Sequence, residues 1–333
     1  MSGKSLILEQ LNRISVSKTQ RKFHKVKFRI QPLYNKYRLD RYLKIMMPWY
    51  SKNKLNTYIS NGEFTKNGRV VKKGDKLNAD DVLIRAYYKE ERIIDINKID
   101  IEIIYEDDEL LVVSKPPTIA VHPNSAYQSG TMLQILEEKY GYKNLRLTHR
   151  LDKETSGLIL IARNKEMATF LTKKFYKRNI EKRYLAFVNG EVTEKYFSVK
   201  FNMGDDINSK IRLKQWERDD GAHSHTEFTL IKQYKDYALV EALLKTGRQH
   251  QIRVHLSYYG NYVIGDKIYG VDEMIFDEFS GKGLTYKMLQ KLEIDHHLLH
   301  AYKISFYDER RDKFFSFKAK LPDDYSKFIK NKL

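Results

Sequence analysis

The strongest constraint on what this chain can fold into is a short apolar run, Leu158-Ile159-Leu160-Ile161-Ala162. It stands directly behind a polar segment, Leu147-Thr148-His149-Arg150-Leu151-Asp152-Lys153-Glu154-Thr155-Ser156-Gly157. The run reads as a buried strand, and a polar segment holding Arg, Asp, a Thr-Ser pair and Gly just ahead of it is the kind of rigidly anchored loop that carries catalytic groups. Around it, Ile101 to Leu321 alternates strand-like and helix-like segments. Ile103-Ile104-Tyr105 and Leu110-Leu111-Val112-Val113 bracket the acidic turn Glu106-Asp107-Asp108-Glu109 as a hairpin does, and Pro116-Pro117 ends the second strand. Met132 to Tyr140 reads as a helix closed by Gly141. The predicted class is mixed α+β, and no tandem repeat supports a solenoid.

At 333 residues the length predicts about two domains. Lys and Arg number 61 against 43 Asp and Glu, a formal charge of +18 that favours a polyanionic partner, with nucleic acid first. The first 38 residues hold ten Lys or Arg and a single acid, Glu9, so residues 1–36 read as a basic arm. Within it Val26-Lys27-Phe28-Arg29-Ile30 alternates as one strand would, and Lys18 to Lys25 reads as a solvated stretch able to track phosphates. No apolar run approaches membrane-spanning length, and the apolar triplet Leu6-Ile7-Leu8 is too short for a secretory signal, so no membrane association and a cytoplasmic location are expected.

Cysteine is absent, which removes disulfides, thiolate nucleophiles and cysteine-containing zinc or iron-sulfur sites. Other candidate motifs carry little chemistry. Gly3-Lys4-Ser5 has the tail of a phosphate loop without its first glycine or preceding strand. His223-Ser224-His225 and His296-His297 with His300 lack a supporting carboxylate pattern, so no metal is expected. Asp107-Asp108 and Asp219-Asp220 are consecutive and read as loop residues rather than acid-base dyads.

From Tyr37 the pattern turns helical, with Leu39, Tyr42, Leu43 and Met46 on one face and Pro48 as a stop. A second helix is expected after Ser51 as N-cap, with Leu55, Tyr58 and Ile59 on its apolar face and Asn61-Gly62 as its end. Asn67-Gly68 is a hairpin turn signal between Phe64 and Val70-Val71, and Val82-Leu83-Ile84 follows the turn at Gly74-Asp75. Arg38-Leu39-Asp40-Arg41-Tyr42-Leu43, Ser51, Ile59-Ser60-Asn61-Gly62 and Lys66-Asn67-Gly68 resemble the small RNA-binding module shared by a small-subunit ribosomal protein and several RNA-modifying enzymes. The bland alternative is a helix pair and hairpin that merely packs on its neighbour. The expected organisation is an arm over 1–36, a small module over 37–88, a charged linker over 89–100 and the larger unit over 101–333.

The polar segment itself resembles the defining motif of the RluA-type pseudouridine synthases, His-Arg-Leu-Asp-x-x-Thr-Ser-Gly, with every fixed position present at 149–157. The resemblance extends through Tyr105-Glu106-Asp107-Asp108, Val113-Ser114-Lys115-Pro116-Pro117, Val121-His122-Pro123 and Lys182-Arg183-Tyr184-Leu185. It continues in Thr246-Gly247-Arg248-Gln249-His250-Gln251-Ile252-Arg253 and Gly265-Asp266-Lys267-Ile268-Tyr269-Gly270, in family order. It implies a mixed, mainly antiparallel sheet domain that isomerises uridine in RNA by a catalytic aspartate after flipping the base out of the stack, with no cofactor. It also implies that Asp152 is the nucleophile, that Tyr184 stacks near the flipped uracil and is available as a base, that Arg253 pairs with Asp152, and that Arg150 enters the RNA helix in place of the base.

Without the resemblance, Asp152 would be a turn-capping aspartate, Arg253 a surface charge on a helix over Gly247 to Tyr259, and Tyr184 a packed strand aromatic. The RNA-contacting set read from the sequence is Arg150, His149 and Arg248 with Arg38, Arg41, Lys52 and Lys54 in the small module. Ser114 stands where the family often has Asn, and Val271 to Lys291 has no clear counterpart there. The expected substrate is large-subunit ribosomal RNA, acted on by a monomer. A transfer-RNA enzyme and a non-catalytic RNA-binding ribosome-assembly protein that retains the fold are the alternatives.

Overall fold

The computed structural model describes residues 18–48, 50–93, 95–123, 129–282 and 284–332; the start of the basic arm, including Gly3-Lys4-Ser5, lies outside the described residues. The chain divides into two compact units, one formed by Lys18–Ile93 and the other by the described residues from 95 onward.

In the first unit, β1 (Lys18–Arg29) is followed by α1 (Leu39–Met46), α2 (Lys52–Ser60), β2 (Phe64–Lys66), β3 (Arg69–Val70) and β4 (Val82–Ile93). The sheet order is β1-β4-β2-β3, with antiparallel pairing throughout. Leu39, Tyr42 and Leu43 from α1, Leu55 and Ile59 from α2, and Phe64, Leu77 and Leu83 close one apolar core. Ser51 Oγ caps α2 by accepting the Lys54 N–H at 3.2 Å. Asn67 and Gly68 both take positive φ, +49° and +84°, the conformation a two-residue hairpin turn requires.

Two expectations change here. Lys18 to Lys25, read as a solvated arm, belongs to a strand twelve residues long, and Lys89 to Ile93, read as the start of a connector, continues its partner β4. The physical reason is that β1 is an edge strand. Its ladder to β4 uses backbone groups, so a lysine-rich sequence without an apolar face still pairs.

The second unit is built on an eleven-stranded sheet among the described residues. Its elements are β5 (Glu102–Glu106), β6 (Leu110–Lys115), α3 (Met132–Glu138), β7 (Arg146–Leu147), β8 (Ser156–Ala162), α4 (Lys165–Tyr176), β9 (Glu181–Asn189), β10 (Tyr196–Asp205), β11 (Gln215–Glu217), β12 (Ala222–Gln233), β13 (Tyr237–Leu244), α5 (Gln251–Tyr259), α6 (Met274–Lys282), α7 (Tyr286–Leu292), β14 (Leu299–Asp308), β15 (Lys313–Lys318) and α8 (Asp323–Lys332).

The strand order is β11-β10-β12-β13-β9-β14-β8-β6-β5, with β15 on β14 and β7 on β8. Every pairing is antiparallel except a short parallel contact between β14 and β8. The fold is therefore α+β with a mixed, mainly antiparallel sheet. All seven residues of β8 are buried, because apolar clusters cover both of its faces: Ile159 and Ile161 on one, Leu158, Leu160 and Ala162 on the other. The segment from Val271 to Lys291 is largely a helical pair, α6 and α7, held by Ile275, Met288 and Leu292.

Candidate active site

The polar segment before β8 is anchored by contacts that its own sequence explains. Ala301 in β14 pairs with Gly157 of β8 on one side and Tyr184 of β9 on the other, so three strands bring the Asp152 loop and Tyr184 together. Gly157 sits at φ +108°, and a Cβ there would stand 2.3 Å from the Ala301 carbonyl oxygen; only glycine permits this approach. Beneath the loop, fully buried Lys115 donates to the carbonyls of Lys153 at 2.9 Å, Ile119 at 3.0 Å and Pro116 at 2.8 Å. Burial pulls this ammonium down to about 7, and the charge of Asp152 opposes that pull.

The far side of the loop is pinned as firmly. Glu154 accepts from Lys267 Nζ at 2.8 and 2.9 Å, and the same ammonium donates to Asp295 O at 2.6 Å. Thr155 Oγ1 lies 2.7 Å from His297 Nε2, and Ser156 Oγ lies 2.8 Å from His300 Nδ1. Burial lowers His297 to about 3 and His300 to about 4, so both imidazoles are neutral at pH 7 and serve as hydrogen-bonding groups.

Asp152 itself faces α5. Arg253 Nη1 donates to its Oδ2 at 3.0 Å, while Nε and Nη2 of the same guanidinium grip Asp266 at 2.6 and 2.8 Å. Arg253 is 4% exposed and Asp266 2%. The Asp152 side chain keeps 25% of its surface, so the array opens to solvent at that carboxylate. Burial alone would raise the Asp152 carboxyl, but favourable interactions with His250 and Arg253 outweigh it and hold it well below the usual range. Asp266 is itself fixed by the N–H groups of Ile268 and Tyr269 at 2.9 and 3.0 Å. Its tight turn depends on Gly265, at φ +81°, where a Cβ would meet His296 O at 2.1 Å. The Tyr269 ring lies under the Arg253 guanidinium, 5.0 Å from centroid to carbon.

Tyr184 is buried on β9, and burial together with the nearby Asp152 charge pushes its phenol well above the ordinary value, leaving it protonated at neutral pH. Arg150 is exposed beside the site, near enough for its charge to lower His250. Arg248 is exposed and donates from Nε to His223 O at 3.1 Å. His149, by contrast, is engaged inside the fold, where Nε2 accepts the Leu160 N–H at 2.9 Å and the ring packs on Phe175 with centroids 4.5 Å apart. The backbone amide fixes Nε2 as an acceptor, a commitment that sequence alone could not reveal.

In the first unit Arg38 is occupied in part by Asp40, with two contacts of 3.1 Å, while Arg41, Lys52 and Lys54 are exposed. Asp107, set aside as a loop residue, pairs with Arg311 and caps its turn through the N–H groups of Glu109 and Leu110. Sequence reasoning assigned no role to Asp266, His250, Tyr269, Glu154 or Lys267. All five lie inside the motif strings or beside their fixed positions, which was the available signal.

The fold is that of a pseudouridylate synthase domain. The solved structure of human RNA Pseudouridylate Synthase Domain Containing 4 superposes with a TM-score of 0.53 at 23% identity, covering 69% of this chain and 92% of that one. The family described as RNA pseudouridylate synthase matches residues 109–258. An RNA pseudouridine synthase of Aquifex aeolicus (strain VF5) is 30% identical over 301 residues, 86% of this chain and 91% of the relative. Ribosomal large subunit pseudouridine synthase D of Xanthomonas campestris pv. campestris is 30% identical over 241 residues, 70% of this chain and 71% of the relative. The chain belongs to the RNA pseudouridine synthase family, as a member of its RluA type, and is an isomerase that converts uridine in RNA to pseudouridine. A non-catalytic role for the fold is thereby set aside.

Proposed function

We propose that Asp152 is the catalytic carboxylate and that it acts on a uridine flipped out of large-subunit ribosomal RNA. The observation that carries this reading is the 3.0 Å pair between Arg253 and Asp152, with Arg253 buried and locked by Asp266. A carboxylate in a base-sized site is desolvated, and desolvation favours its neutral form; the charge and hydrogen bond of a guanidinium keep it an anion, and Asp266 fixes where that guanidinium stands. Glycosidic bond cleavage, rotation of uracil and bonding to carbon 5 add and remove nothing, so an anion, a wall and a basic surface suffice.

Tyr184, retaining its proton, is the ring against which the base rests rather than a resting base. Arg150 takes the space the base leaves, offsetting the few kcal/mol that unstacking requires. The ribosomal target is supported by relatives named ribosomal large subunit pseudouridine synthase D and by the charge of +18; transfer RNA is the second reading. Of the contacts expected from the sequence, Arg150, Arg248, Arg41, Lys52 and Lys54 stay in the proposed RNA-binding set, with Arg38 in part.

The test is Asp152→Ala and Asp152→Asn assayed for tritium release from carbon 5 of uridine in RNA taken from cells that lack the gene, with RNA binding followed in parallel. Release should fall below detection while binding stays within about threefold of wild type, and the modified position restored by wild type should map to ribosomal RNA. Release by Asp152→Ala at the wild-type rate would end the proposal for Asp152. Restoration in transfer RNA alone would move the substrate.

A further inference from the structure

We infer that His250 and Tyr269 form a positioning relay that supplies a second hydrogen-bond donor to Asp152 Oδ2 and so designates Oδ1 as the reacting oxygen. The inference rests on Asp152 being the catalytic carboxylate. It begins at β11, where the backbone N–H of Gln215 donates to Tyr269 Oη at 2.8 Å. The same hydroxyl is 2.8 Å from His250 Nδ1. Tyr269 is 4% exposed, and among the described residues these two are the hydrogen-bond partners of its hydroxyl. Having accepted the amide N–H, the hydroxyl has its one proton available for its second partner, the imidazole.

In the relay Nδ1 is the acceptor and the ring carries its proton on Nε2. That nitrogen lies 3.8 Å from Asp152 Oδ2, the oxygen already bound by Arg253, while among the described residues Oδ1 has no hydrogen-bond partner. Two features are consistent with a ring held in place for this role. His250 takes φ +57°, a left-handed backbone uncommon outside glycine, asparagine and aspartate, at the residue that starts α5. Burial and the Arg253 charge lower the imidazole to about 4, against the raising effect of Asp152, so the neutral ring donates from one nitrogen only.

The groups that face His250 are Asp152, Arg253, Asp266 and Arg150, and Tyr269 touches both partners of Asp152: its hydroxyl holds His250 and its ring lies under Arg253. The 3.8 Å gap exceeds a hydrogen bond, and the relay requires the donor to close on Oδ2 when the uridine is bound.

Tyr269→Phe tests the relay with least disturbance, because the ring stays under Arg253 and only the hydroxyl goes. With excess enzyme and the same tritiated RNA, Tyr269→Phe and His250→Ala should each slow release about tenfold or more, the scale of one donor to a charged group, with RNA affinity within about twofold of wild type. His250→Gln, whose amide N–H can reach the same oxygen, should regain most of the loss. Wild-type rates in Tyr269→Phe, a loss that appears in RNA affinity rather than in rate, or a His250→Gln variant as slow as His250→Ala would overturn the relay. An inactive Asp152→Ala beside an unaffected Tyr269→Phe would remove the relay alone; an active Asp152→Ala would remove the catalytic reading beneath it.

Discussion

Arg253 donates to two carboxylates with one guanidinium, and the difference between them is exposure: Asp266 is sealed and Asp152 keeps an opening. A lysine, a point charge on a flexible stem, would lack the planar fork that grips Asp266 with two N–H groups while a third reaches Asp152. Arg253→Met should therefore release Asp152 to the pull of burial, which raises its carboxyl. In wild type the depressed carboxyl stays ionised down to about pH 4 and below, so no acid limb from Asp152 should enter the rate profile between pH 5 and 8; in Arg253→Met a limb should move up into that window. The same change leaves Asp266 buried without its partner and should cost about 3–5 kcal/mol of stability, read from denaturant midpoints. A pH–rate profile unchanged in shape would show that Arg253 does not set the charge of Asp152.

Among the elements, the junction of β8, β14 and β9 decides whether a site exists at all, because the parallel contact at Gly157 and Ala301 is where the Asp152 loop meets the strand beside Tyr184. Gly157→Ala would drive a methyl into the Ala301 carbonyl at 2.3 Å in a backbone conformation that L residues avoid. We expect a loss on the order of 3 kcal/mol or more, with tritium release lost at temperatures where the fold persists. A variant with the wild-type midpoint and activity would mean that the strands separate there without consequence. Much of this element was legible in the sequence: the apolar run gave its burial away and Asn67-Gly68 did the same for the hairpin in the first unit. The edge strand was legible only at its end, where Val26 to Arg29 alternates; Lys18 to Lys25 was not, because pairing through backbone groups there leaves no periodic apolar imprint.

At the scale of the molecule, acid stability should be governed first by histidines rather than carboxylates. His149, His255 and His297 are lowered by burial to about 3, and His250 and His300 to about 4. Below their ordinary value near 6.5, the unfolded chain binds protons that the folded one refuses, so the stability these rings contribute is complete above about pH 6.5 and falls as the pH drops toward 4. Each such group contributes a slope of up to about 1.4 kcal/mol per pH unit, and thermal midpoints between pH 7 and 4.5 should fall steeply. A flat midpoint over that range would show that these rings protonate inside the fold.

Residue order alone was enough for the local features: the strand at Leu158–Ala162, the helices of the first unit, the glycine at 157 and, through its motif string, Asp152 as the residue to watch. Folding chose the partners. Asp152 and Arg253 are 101 positions apart, so their pairing was expected from the family resemblance and not from spacing; the contact of Tyr269 with Gln215, across 54 positions, left no signal in the sequence. The bland reading of Arg253 as a surface charge is reversed by folding for the same reason: the first six residues of its helix are buried, and a turn from Gly265 to Gly270 delivers a carboxylate to meet the guanidinium there. Periodicity records which face of an element is apolar; the charge a residue carries and the atom it touches depend on elements brought in from elsewhere in the chain.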